Sequence, residues 1–94
     1  MPQFALFCTD KPDSVELRQK TRNAHVDYLD ATDRLRLAGP TFDEAGRPNG
    51  SLLVIEVDDL AAAQSFAQGD PYAQAGLFAS VQIRPFIRTL GSWG

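Results

Sequence analysis

Two stretches of this 94-residue chain are apolar at nearly every position. They are Phe4-Ala5-Leu6-Phe7-Cys8 and Leu52-Leu53-Val54-Ile55, the second continued by Val57. A half-buried strand alternates apolar and polar residues; these do not, so both faces of each call for cover. Gln3 to Thr9 is therefore expected as a first strand and Ser51 to Val57 as a third. Only two helical segments accompany them, which is too little to cover both faces of a sheet.

The first helix is predicted from Asp13 to about Arg34. Asp13 with Glu16 resembles a capping box with aspartate as the cap. Leu17, Thr21, Ala24, Tyr28, Ala31 and Leu35 share one stripe at helical spacing, expected to be the buried one. Arg18, Arg22, His25 and Leu29 form the neighbouring stripe, which puts His25 at the border of the buried face, one turn from Arg22. Leu35 to Phe42 is a second strand. Pro40 cannot donate to a ladder, so this strand is an edge or its pairing stops there. Residues 43–50 have hairpin composition, with Asn49-Gly50 as the turn signal. A second helix is expected over Leu60 to Gln68, capped by Asp58 or Asp59. Leu60, Ala63, Phe66 and Ala67 are placed on its sheet side.

Gly69-Asp70-Pro71-Tyr72-Ala73-Gln74-Ala75-Gly76 follows. Gly69 can end the helix in a left-handed conformation. Asp70 then stands at an N-cap, Pro71 at the first helical position, and Gly76 ends a single turn. Leu77 to Phe86 is a fourth strand. The tail carries Trp93, expected as a packing anchor.

The order βαββαβ points to the α+β class and a ferredoxin-like sandwich formed by one domain, residues 1–94. Both helices would lie on one face of the sheet. The bare apolar face calls for a second copy packed sheet to sheet, hence a homodimer.

Other classes are disfavoured. The formal net charge is −3 with acids and bases interspersed, so no nucleic-acid surface is expected. No apolar run approaches membrane-spanning length, and the N-terminus does not resemble a signal peptide. The single cysteine, Cys8, sits inside the first strand and reads as a small core residue. With no disulfide to form, it fits a cytoplasmic setting. One histidine and one buried cysteine do not make a metal set, and no phosphate-binding glycine loop is present.

Several fragments occur in a fixed order: Arg22-Asn23-Ala24-His25-Val26, Ala38-Gly39-Pro40, Gly50-Ser51, Asp70-Pro71-Tyr72 with Ala75-Gly76, and Ile83-Arg84-Pro85-Phe86. With Ala62-Ala63-Gln64, this set resembles the YciI-like (YCII) family of small bacterial proteins over nearly the whole chain. The resemblance implies a dimeric α+β barrel of ferredoxin-like subunits and a site built on His25 and Asp70. Arg22, Gly39, Pro40, Ser51 and Tyr72 would line its substrate pocket. One branch of the family includes a dehydrochlorinase acting on a chlorinated hydroxyquinol. The implied function is cofactor-free acid–base chemistry, of elimination, dehydrochlorination or isomerisation type, on a small hydroxylated or aromatic molecule. The alternatives are a small-ligand-binding or regulatory dimer without catalysis, and a haem-binding barrel with His25 as the axial ligand.

The chemistry of the pair is simple. Histidine exchanges a proton near neutral pH, and a carboxylate on one ring nitrogen fixes the tautomer and leaves the other nitrogen for substrate. The fold should bring His25 and Asp70 within hydrogen-bond reach or join them through one water, because the turn before the fourth strand can lie beside the first helix.

Overall fold

The computed structural model describes residues 1–92. The elements are β1 (Gln3–Asp10), α1 (Val15–Asp30), β2 (Leu35–Phe42), β3 (Pro48–Glu56), α2 (Leu60–Gly69), α3 (Pro71–Gln74) and β4 (Phe78–Phe86). The strands form one sheet in the order β2-β3-β1-β4, antiparallel throughout. The two apolar strands are therefore the central pair, as their continuous hydrophobicity requires. The expected α+β, ferredoxin-like order is the one observed. The packing anchor expected at Trp93 lies outside the described residues.

Alternation along β1 and β3 divides the apolar side chains between the two faces. Phe4, Leu6 and Cys8 join Leu53, Ile55 and Val57 in a core closed by Leu29 of α1 and Ala63 of α2. The opposite face carries Ala5 and Val54, which neighbours bury, but Phe7 remains 44% and Leu37 39% exposed. These two side chains are the uncovered apolar surface that the sequence anticipates.

α1 differs from expectation at both ends and in its rotation. Asp13 does not start it: its φ of +57° belongs to a turn, and Ser14 is the N-cap, its hydroxyl donating back to the Pro12 carbonyl instead of capping the helix. The helix ends at Asp30, not near Arg34, because Thr32 Oγ1 accepts the Arg34 N–H in the bend that leads into β2. The buried residues of α1 are Arg18, His25 and Leu29, whereas Ala24 is exposed. The supposed border stripe is thus the inner one. Polar side chains can face inward there because each has a fixed partner below.

The hairpin also closes differently. Its turn is built on Asp43, whose Oδ1 accepts the N–H groups of Ala45 and Arg47, while Gly46 takes a φ of +81°. Asn49 and Gly50 already belong to β3. Gly50 is needed for a close approach, since a Cβ there would stand 2.3 Å from the Cys8 carbonyl oxygen. Pro40 does lie on an edge strand, but pairing continues past it to Thr41 and Phe42. α2 starts from Asp59, whose side chain accepts the Ala62 N–H. Leu60 is 46% exposed rather than packed on the sheet. Gly69 stays within the helix and is not left-handed; a Cβ at that position would come 2.6 Å from the Tyr28 hydroxyl, which donates to the Phe66 carbonyl.

Candidate functional site

Asp70 is the hinge between α2 and α3, capping the end of one and the start of the other. Pro71 follows at the first helical position, where its missing N–H leaves no gap. Asp70 Oδ1 accepts the Tyr72 N–H at 2.9 Å, as an N-cap does. The same oxygen lies 2.8 Å from His25 Nδ1. A carboxylate accepts, so Nδ1 carries the proton and donates. That leaves Nε2 as the ring's lone-pair nitrogen in the neutral form. Both side chains are buried, at 10% and 4% exposure.

The short helix delivers a third group. Tyr72 is buried and lies parallel to the His25 ring, with centroids 3.9 Å apart and planes 16° apart. Phe78 meets its edge at 6.0 Å. Arg18 places its guanidinium carbon 4.6 Å from the same ring. Arg18 and His25 leave α1 seven residues apart, roughly 10 Å along the axis. Both nonetheless pack on the one phenol. Burial raises the Tyr72 pKa, against the lowering exerted by the charges of Arg18 and Arg22.

Arg18 heads a second polar cluster. Its Nε donates to Asp10 Oδ2 at 2.7 Å and its Nη2 to Asp10 Oδ1 at 2.9 Å, a bidentate pair. Nη2 also donates to Ser51 Oγ at 2.9 Å. Burial disfavours the guanidinium charge, but the bonds and the charge of Asp10 outweigh it and hold its pKa above the ordinary value. Arg18 and Asp10 were not among the residues expected at the site. The available signal was that Arg18 shares a helical stripe with His25.

The residues expected at the site converge unevenly. His25, Arg22, Gly39, Pro40, Ser51 and Tyr72 all line one cavity of about 280 Å³, together with Arg18. Val26, Leu29, Phe42 and Leu53 give it apolar walls. Asp70 does not line it and stands behind His25. Arg22 is exposed and contributes at the mouth. Larger hollows of about 560 and 720 Å³ lie beside Met1 and Pro85 to Arg88, and over the Asp43 turn, and one of about 360 Å³ lies between α2 and β4. None of these three contains His25 or Tyr72, so the smallest one is the chemical candidate.

Cys8 lies in the core, and burial, reinforced by the charge of Asp70, pushes its thiol up to about 12. It is a packing residue, not a nucleophile. Among the described residues no three His, Cys, Asp or Glu side chains gather as metal ligands. Nor is any described helix long and apolar enough to cross a membrane.

Comparison with known proteins agrees with this architecture. Residues 2–87 match the YCII-related domain family. Protein YciI of Escherichia coli is 35% identical over 92 residues, covering 88% of this chain and 94% of that protein. An uncharacterized protein of Haemophilus influenzae is 34% identical over 93 residues, with the same coverage, 88% and 94%. Among solved structures, the 5-chloro-2-hydroxyhydroquinone dehydrochlorinase TftG of Burkholderia phenoliruptrix, in complex with 2,5-dihydroxybenzoquinone, superposes with a TM-score of 0.82. It is 27% identical, and the match covers 90% of this chain and 93% of that one.

Proposed function

The chain belongs to the YCII-related domain family, and from that premise we propose that its cavity performs cofactor-free acid–base chemistry on a small hydroxylated or aromatic molecule. One observation carries the reading: a buried carboxylate holds His25 by Nδ1 at 2.8 Å while the ring lines an apolar cavity. Nε2 takes a proton from the substrate. The electron pair left behind expels a leaving group such as chloride, or re-forms a bond elsewhere in an isomerisation. Asp70 stabilises the imidazolium that results. Tyr72 stacks on the His25 ring and helps to fix its orientation. The similarity to a dehydrochlorinase supports elimination as the reaction type.

The test has two parts. Nitrogen-15 NMR of the only histidine should show the neutral form protonated at Nδ1. Chloride release should follow when chlorinated hydroxyquinols are supplied. A ring protonated at Nε2, or a panel of such compounds that bind and release no chloride, would leave a binding protein as the better account.

The working unit in this proposal is a homodimer of single-domain chains, residues 1–94, in the cytoplasm. Phe7 and Leu37 on the bare sheet face support the assembly, because packing a second sheet there removes their apolar surface from water. Light scattering should give twice the chain mass at micromolar concentration. A well-folded monomer under those conditions would remove the barrel from the proposal.

A further inference from the structure

The hydrogens around Arg18 do not balance. A guanidinium has five N–H donors and no acceptor. Asp10 takes two of them and Ser51 Oγ a third, which exhausts Nε and Nη2. The guanidinium also engages the Tyr72 side chain as a hydrogen-bond partner. Ser51 is 3% exposed, and its oxygen already accepts from Arg18, so its own proton must be given elsewhere. Among the described residues Ser51 donates to nothing, and the Tyr72 phenol beside Arg18 likewise carries a proton to give. A donor-only cation has turned its neutral neighbours into donors as well. Buried donors of this kind call for an acceptor. All three residues line the 280 Å³ cavity.

The charges are sided in the same way. Arg18 and Arg22 line the cavity, whereas Asp10, which pairs with Arg18, and Asp70, which accepts from His25, stand behind and do not. A ligand entering the cavity therefore meets donors and positive charge without a facing carboxylate.

We infer that Ser51 and Arg18 form a recess for an anionic oxygen, so that the ligand is a small anion carrying a carboxylate or phenolate. The inference deepens the proposed function by naming the charge of the substrate. It rests on the cavity being a ligand site and does not require turnover. Arg18 and Ser51 are binding residues in it, and His25 Nε2 remains the proton-transfer atom.

Binding of matched pairs to the intact protein tests this, followed by calorimetry or NMR. Benzoate against benzamide probes the carboxylate source, and 4-nitrophenolate against 4-nitroanisole the phenolate source. In the wild type at least one anion should bind tenfold or more tightly than its neutral partner, and the pair that discriminates identifies the source. Ser51→Ala, which removes one small donor, should cut that preference by about tenfold, the scale of one hydrogen bond to a charged group. Asp10→Leu/Arg18→Met should abolish it. His25→Gln should retain it.

Equal affinity for anion and neutral partner overturns the inference, as does failure of every probe to bind at millimolar concentration. So does a preference that survives Ser51→Ala but vanishes in His25→Gln, since the charge sensed would then be the imidazole's. Anion preference without any chloride release would sink the acid–base reading and leave this one standing. Chloride release without anion preference would do the reverse.

Discussion

Replacing Arg18 alone with methionine should lower stability by about 3–5 kcal/mol, the largest single effect expected in this protein. The Arg18 and Asp10 side chains are only 7% and 5% exposed, so water cannot compensate when one is lost. Arg18→Met leaves the Asp10 carboxylate buried without its bidentate partner, and leaves Ser51 Oγ without its donor. Asp10→Leu/Arg18→Met removes both charges and fills the space with apolar atoms. It should recover most of the loss, because a buried ion pair gains little over well-packed hydrocarbon. Urea unfolding at fixed protein concentration measures both variants, with the midpoint moving and the slope unchanged. A single variant within about 1 kcal/mol of wild type would mean that solvent reaches the pair. A double variant as weak as the single one would mean that the loss is packing and not charge.

The same pair shows where sequence reasoning stops. Element order, the central position of β1 and β3 and the edge position of β2 follow from local facts: unbroken apolar runs, and a proline that cannot donate. The contact of His25 with Asp70 was legible too, from the family resemblance and from a topology that lets the turn before β4 lie beside α1. Helix rotation was not. Periodicity ranks positions by apolarity, so it set Leu17 and Ala24 inward and left Arg18 on the margin. Arg18 is buried only because Asp10 and Ser51, eight and thirty-three positions away, meet it in space. Asn49-Gly50 misled for a related reason. Glycine answers both to a turn and to a close strand contact, and only the neighbouring strand, with the Cys8 carbonyl against Gly50, decides between them. Gly69 repeats the point: its small size serves Tyr28, which approaches from another helix.

Asp70→Asn should leave the fold nearly as stable as wild type and lower turnover by about 10²–10⁴-fold. Asp70 does two things with one oxygen. Oδ1 caps α3 through the Tyr72 N–H and holds His25 Nδ1. An asparagine carbonyl can accept both bonds, and asparagine is as good an N-cap as aspartate, so stability should change by less than about 1 kcal/mol. What it lacks is the negative charge. The imidazolium formed when Nε2 takes a proton then has no counter-ion in a buried site, and the proton transfer slows. Asp70→Ala separates the two roles from the other side. It removes the cap, at about 1 kcal/mol, and leaves the Nδ1–H buried without an acceptor, at about 1–3 kcal/mol more. The expected pattern is therefore a stable, slow asparagine variant and a weakened, slow alanine variant. Denaturant midpoints and chloride release read the two axes independently. If asparagine and alanine lose stability alike while turnover is untouched, Asp70 is a helix cap alone, and His25 does its work without a counter-ion or does none.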